Sequence, residues 1–389
     1  TLQELGILEE ATNCLEKAIA LNPDQAMLHY NLGAILLEKG EWSEAVDCYQ
    51  QSNKLDPHHV ESLGNLGVAL QKLGRPQEAE AYYAKALNLK PDHVKTHNNL
   101  GNMLKDTGRL KEAKKSYERA LRSQSDFVEA LFNLAITLGH LDEADEEIRA
   151  FQDVIRLDPD NFGLRAGVNL SICKFLLGDI GEAERHLSEA KEITKNSAKE
   201  YRNEQIYFNY LSNLFNQRKT SLLDVASDRE CALLHVIGES HSLASHHLTF
   251  ETSERRFFCQ AQLIKGCMQW HLGNSVENQY KVNFERILRT LPNFSDILLA
   301  IGEIDCRLDS GILKHRNESK GREMKEIATV TINNYLGYIE KTNAPWSHTI
   351  TLQGVPCPVK DLEMSSSAEM ADLASLIGFF NDQLKDGCK

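Results

Sequence analysis

Hydrophobic and polar positions follow two different rules along this chain. Through the first half, small and aromatic residues return every 34 residues: Gly6, Gly40, Gly74 and Gly108, then Ala11, Ala45, Ala79 and Ala113, then Tyr49, Tyr83, Tyr117 and Phe151. Proline keeps the same step at Pro23, Pro57 and Pro91, is replaced by Ser125, and returns at Pro159. A repeat of this length predicts a pair of antiparallel helices per unit. In such a pair Gly33, Gly67 and Gly101 leave room on the first helix for the second, and Gly40, Gly74 and Gly108 end the first helix where a positive φ is wanted. The alanines keep the crossing close, the rings are expected to fill the space between units, and proline stops the second helix.

The second half changes period. After a longer helix over 196–221, short apolar runs at 231–237, 256–264, 296–301 and 348–353 read as buried strands, each broken by a polar segment that contains glycine. Amphipathic stretches at 276–291, 322–341 and 367–384 read as helices between and after them. Strand alternating with helix predicts a parallel, doubly wound sheet with helices on both faces. The expected architecture is an α-solenoid over 1–195 that starts in mid-repeat, a connecting helix within 196–229, and a three-layer α/β domain over 230–389.

The first-half columns resemble the tetratricopeptide repeat, which this spacing of Gly, Ala, aromatic and Pro matches over about residues 1–195. The chain opens on the second helix of a unit, so residues before it are expected to be missing. The fourth full unit is degenerate, with Asp142 and Glu147 where Gly and Ala are expected. A fifth recovers the phase after a two-residue insertion at Asn169, Leu170, Ser171, Gly178, Ala183 and Ala190. Stacked units of this kind present a concave binding surface.

One polar column runs in register. Asn31, Asn65, Asn99 and Asn133 recur every 34 residues, and Asn169 continues them after the insertion. An amide both donates to and accepts from a peptide backbone. The column resembles the asparagine ladder of O-linked N-acetylglucosamine transferases, which implies an extended peptide, or a protein segment, held in the groove. The alternative is that each Asn stabilises its own repeat.

In the second half, Gly238-Glu239-Ser240 after the first strand, Gly266 after the second, and Gly302-Glu303-Ile304-Asp305 after the third resemble the first three blocks of the SGNH (GDSL-type) hydrolases. That resemblance implies a flavodoxin-like fold and esterase chemistry on an acylated glycan or small ester. Ser240 would be the nucleophile and the Gly266 N–H an oxyanion donor, with Gly302, Glu303, Asp305 and Arg307 forming the third-block loop. Ile304 stands where the family has Asn, and Asn274 or Arg307 would have to substitute. No Asp-x-x-His follows residue 302, so the base is expected in a missing C-terminal tail and the 389-residue form is expected to be nearly inactive. Ser240 as a helix N-cap, and Glu303, Asp305 and Arg307 as a structural ion pair, are the structural alternatives.

Composition narrows the partners. Lys and Arg number 43 against 56 Asp and Glu, a formal charge of −13, which argues against nucleic acid or an anionic membrane surface as ligand. Nine cysteines without a C-x-x-C pair, and no apolar run near the roughly 20 residues of a membrane span, fit a reduced cytoplasmic protein. The basic stretch 105–122 reads as a solvated helix face, because acids interleave with it. His58, His59, His93 and His97 read as turn or surface residues without chemistry. His246-His247 lacks metal-ligand spacing, and Trp270-His271 reads as a cap on the core edge in preference to a stacking surface for a sugar face. No cofactor or metal is implied. The competing functions are thus a repeat protein coupled to an ester hydrolase or acyl-transfer domain and a non-catalytic adaptor, with a glycosyltransferase disfavoured by the size of the second half.

Overall fold

The computed structural model describes residues 2–194, 208–215, 232–238, 242–246, 248–251, 255–264, 271–272, 274–301 and 324–353, with positions 379, 381, 382 and 385. Helix α1 (Leu2–Leu21) is followed by five hairpins: α2 (Ala26–Lys39) with α3 (Trp42–Leu55), α4 (Val60–Lys72) with α5 (Pro76–Leu89), α6 (Val94–Asp106) with α7 (Leu110–Ser123), α8 (Val128–His140) with α9 (Ala144–Leu157), and α10 (Pro159–Leu176) with α11 (Ile180–Thr194). The turn glycines take the left-handed conformation at the end of each first helix, with φ of 81°, 73°, 80° and 84° at Gly40, Gly74, Gly108 and Gly178. The next amide then reaches back to close the helix end, Glu41 N to Leu36 O at 2.9 Å and Arg109 N to Leu104 O at 2.8 Å. In the degenerate unit Asp142 takes this conformation without being glycine (φ 66°), at a cost of order 1 kcal/mol.

Packing inside each hairpin explains a second glycine column. A Cβ on Gly67 or Gly101 would sit 2.5 Å from the ring of Tyr83 or Tyr117, and one on Gly33 would sit 3.0 Å from Tyr49. All three rings are fully buried, as are Ala45, Ala79 and Ala113. Contrary to the expectation from sequence, the rings therefore pack against the glycine of their own repeat and not chiefly between units. The flat ring fills the depression that a missing Cβ leaves at the tightest point of the hairpin. One continuous apolar cluster then runs from Leu32 to Ala130, each unit resting on the next.

The fifth hairpin absorbs its insertion in the helix. Helix α10 has 18 residues where α4, α6 and α8 have 13, and it begins directly at Pro159. Proline here starts a helix instead of ending one, because at the first helical position its missing N–H has no partner to lose. Compact packing divides the chain into Thr1–Leu170 with Glu189–Lys199 and Ser171–Ser188 with Glu200–Lys389.

The second unit carries a five-stranded sheet in the order β2-β3-β1-β4-β5. Its strands are β1 (Ala232–Gly238), β2 (Thr249–Glu251), β3 (Arg256–Leu263), β4 (Asp296–Ala300) and β5 (Thr349–Leu352). The four strands anticipated from sequence pair in parallel, and β2 adds an antiparallel edge too short to show any alternation. Helices α14 (Gln279–Thr290) and α15 (Met324–Asn343) both pack on the face formed by Ile237, Ile297 and Leu299. Topology requires this: β3 to β4 and β4 to β5 step the same way across the sheet, and right-handed crossovers place both helices on one side. The β1 to β3 connection steps the other way. Among the described residues its helical part is only the four-residue α13 (Ser242–Ser245), followed by the edge strand β2. The expected layer of helices on that second face is thus not present among the described residues. Of the expected connecting helix, 208–215 (α12) is described and helical, burying Phe208, Leu211, Leu214 and Phe215. The expected helix at 367–384 lies outside the described residues except for three positions.

Candidate functional site: the asparagine column and the carboxyl edge of the sheet

Successive first helices, α2 to α4 to α6 to α8, approach one another more closely than successive second helices do, so they form the inner side of the stack. The asparagine column lies on these helices, with Asn31 exposed and Asn65, Asn99 and Asn133 half-buried. Its members are not equivalent. Asn31 and Asn99 make no side-chain hydrogen bond among the described residues. Asn65 faces the phenol of Tyr49, whose pKa burial pushes well up while the amide opposes that push. The Nδ2 of Asn133 donates to Oδ1 of the buried Asn98 in the preceding repeat at 3.1 Å, and that of Asn169 donates to the Arg165 carbonyl at 2.7 Å. The column thus mixes two open amides, Asn31 and Asn99, with three engaged ones, Asn65 lying between the open pair and Asn133 and Asn169 following it. Asn98, missed from the sequence, bridges two repeats; the Asn98-Asn99 doublet was the available signal.

Polar links between repeats hold this wall in place. Gln71 Nε2 donates to Asp106 of the next repeat at 2.9 Å, and within the third hairpin the Tyr117 hydroxyl donates to Asn102 at 2.7 Å. Glu61 lies 3.7 Å from both His59 and His93, and His93 Nδ1 meets the Thr96 hydroxyl at 2.7 Å. His97 is buried, with 4% of its surface exposed, which corrects its reading as a surface residue. It reaches the Pro91 carbonyl because the hairpin turn folds back over it.

In the second unit, Ser240, Gly266, Gly302, Glu303, Asp305 and Arg307 lie outside the described residues. The strands that precede them do converge: Gly238 pairs with Leu263 on one side and with Ala300 on the other, so three carboxyl ends stand level. A Cβ on Gly238 would lie 2.4 Å from the Ala300 carbonyl oxygen, so glycine is required there. The junction of β1 and β4 is where the connections change direction, the position at which open α/β sheets bind ligands.

The described neighbours of this edge are structural. Asn274 spends Oδ1 on the Val276 N–H at 3.0 Å, and its carbonyl takes the Lys281 ammonium. Asn278 caps α14, accepting from the Tyr280 and Lys281 amides at 3.1 Å each, and donates to the His271 carbonyl. His271 stacks on Tyr280 at 4.1 Å, and burial lowers its pKa to about 4. His246 is buried, accepts from the Ala261 N–H at 3.0 Å, and packs edge-on against Phe175. Among the described residues no cluster of His, Cys, Asp and Glu could hold a metal, and no helix is long and apolar enough to cross a membrane.

Residues 1–131 match the family profile of the cilia and flagella-associated protein 70 C-terminal domain, and residues 128–161 match the tetratricopeptide repeat profile. No curated protein matches the chain. Among solved structures, MamA from Desulfovibrio magneticus RS-1 is 22% identical, covering 45% of this chain and 97% of that one with a TM-score of 0.40. YrrB, described as a TPR protein with an unusual peptide-binding site, is 21% identical over 51% of this chain and 97% of its own, with a TM-score of 0.40. Yeast Tom70 is 17% identical over 56% of this chain and 44% of its own, with a TM-score of 0.45. With the hairpins, the left-handed turn glycines and these profile matches together, the first part of this chain is a stack of tetratricopeptide repeats.

Proposed function

We propose that this protein is a non-catalytic scaffold whose repeats hold an extended protein segment along the first helices. The observation that carries the reading is the open pair Asn31 and Asn99, amides on the inner side that make no side-chain hydrogen bond among the described residues. Two hydrogen bonds to a peptide backbone are worth about 0.5–1.5 kcal/mol each, so together roughly 5- to 150-fold in affinity. Backbone recognition makes the groove tolerant of side-chain sequence. The test is an array of unrelated decapeptides, followed by fluorescence anisotropy with the tightest binder against wild type and Asn31→Ala/Asn99→Ala. About tenfold weaker binding by the variant supports the reading. Unchanged affinity with full helicity refutes it.

A second reading adds ester or O-acyl hydrolysis by the α/β unit. What favours it is the close approach of Gly238 to Ala300 at the change of direction in the sheet, two residues before Ser240 and Gly302 in the sequence. Ser240 would attack the acyl carbonyl and the Gly266 N–H would steady the oxyanion. Ile304, a residue that cannot donate a hydrogen bond where the family has Asn, weighs toward the scaffold. Turnover of p-nitrophenyl acetate that disappears in Ser240→Ala supports hydrolysis; no turnover, or turnover unchanged by that substitution, removes Ser240 from any mechanism.

A further inference from the structure

The basic stretch 105–122, from the end of α6 through α7, sorts into two classes once it is folded. Arg109 pairs with Glu80 and Glu112, Lys114 with Glu143 and Glu146, and Lys105 with Asp106. Lys111, Lys115, Arg119 and Arg122 are exposed and have no ion pair among the described residues. In a helix of 3.6 residues per turn these four fall within about 80° of one another, with Glu118 beside them. Arg119 and Arg122 also line an open cavity of about 400 Å³, together with Pro91, Asp92, His97 and Ser123. The cavity lies on another side of α6 from the asparagine column, because His97 and Asn99 are about 200° apart around the helix.

The floor of this cavity has an unmet valence. His97 places Nε2 against the Pro91 carbonyl at 2.8 Å, while its buried Nδ1 has no hydrogen-bond partner. The carbonyl can only accept, so Nε2 carries the proton and Nδ1 is left as the atom able to take a second one. Burial holds the ring below the usual imidazole pKa; Arg119 and Arg122 add to that effect, and the Pro91 carbonyl and Asp92 oppose it. The guanidinium groups are thus close enough for their charge to act on the ring. His29 makes the same bond to Pro23 in the first repeat, but the positions above it are Gln51 and Lys54. The His contact therefore belongs to the repeat, and the arginine pair is peculiar to the third unit.

We infer that this cavity is an oxyanion site that takes a phosphoryl group, borne by a peptide or free as phosphate, with Arg119 and Arg122 as forked donors and His97, which takes a proton at Nδ1 as the anion binds, beneath them. Two guanidinium groups one turn apart present enough N–H donors for a tetrahedral dianion. Asp92, the single acidic lining residue, limits affinity. This site is separate from the proposed peptide groove, and either can fail without the other.

The experiment is isothermal titration of the full chain with three probes: inorganic phosphate, the pentapeptide Ala-Gly-phosphoserine-Gly-Ala, and the same peptide with glutamate in place of phosphoserine. Saturable binding of phosphate or the phosphopeptide, weakened at least tenfold in Arg119→Gln/Arg122→Gln and strengthened in Asp92→Asn, is expected. His97→Leu places the residue found at the equivalent Leu63 and Leu131, so it keeps the fold, and is expected to weaken binding severalfold. Tighter binding of the phosphopeptide than of free phosphate places the group on a peptide, and equal or weaker binding places it in solution. Absence of saturable binding, affinity unchanged in the arginine double variant, or equal affinity for the glutamate peptide overturns the inference.

Discussion

Replacing Gly101 by alanine sets two opposed effects against each other. Alanine in the middle of a helix is favoured over glycine by about 1 kcal/mol. The new methyl would lie 2.5 Å from Cε1 and 2.8 Å from Cδ1 and Cζ of Tyr117. That ring is fully buried and tied through its hydroxyl to Asn102 at 2.7 Å, so it cannot swing aside. Overpacking of a rigid core costs typically about 1–3 kcal/mol, and the net expectation is destabilisation by roughly 0–2 kcal/mol. Gly337 in α15 has nothing within 4 Å of its built Cβ, so Gly337→Ala should stabilise by about 1 kcal/mol on propensity alone. The same chemical change thus has opposite signs at two sites, separated by about 1–3 kcal/mol. Amide hydrogen exchange, resolved by helix, is the appropriate assay, because a repeat array with a second unit need not unfold in two states. Tyr117→Leu combined with Gly101→Ala should be less harmful than the sum of the two. Protection in α6 and α7 that rises in Gly101→Ala would refute the steric account of the glycine column.

Acid should loosen the second unit before its carboxylates titrate. Burial lowers the pKa of His271 to about 4 and also lowers that of His235. The unfolded chain therefore takes up protons first, near pH 6.5. Stability is full above that value and is lost as pH falls toward 4, a slope that denaturant titrations should find reduced in His271→Phe. Maleimide labelling of the native protein near pH 7.5 should modify the exposed Cys14 quickly. Cys48, whose thiol burial raises to about 11, and the buried Cys173 and Cys259 should wait for unfolding, as peptide mass mapping will show. Gly238→Ala, which drives a methyl into the Ala300 carbonyl, should cost about 1–3 kcal/mol in the sheet while leaving exchange from α2 to α7 unchanged.

How much of this protein is written locally depends on the element. The tetratricopeptide units are legible because each residue's task is set by neighbours within about 34 positions: Gly40 ends a helix, Gly101 admits a ring, and repetition multiplies the signal. The four parallel strands are legible as apolar runs for the same reason, whereas three-residue β2 exists only because β3 offers it an edge. Sequence alone could not tell which asparagines are open, since Asn133 is claimed by Asn98 across a repeat boundary and Asn99 by nothing among the described residues. Nor could it separate Arg109, neutralised by Glu80 from the preceding repeat, from Arg119 and Arg122, which line the cavity with His97 and have no ion pair among the described residues. Charge and hydrogen-bond capacity belong to residue types, but whether they are spent depends on distances of a few ångströms between residues some 30 positions apart, and only the tertiary structure sets those.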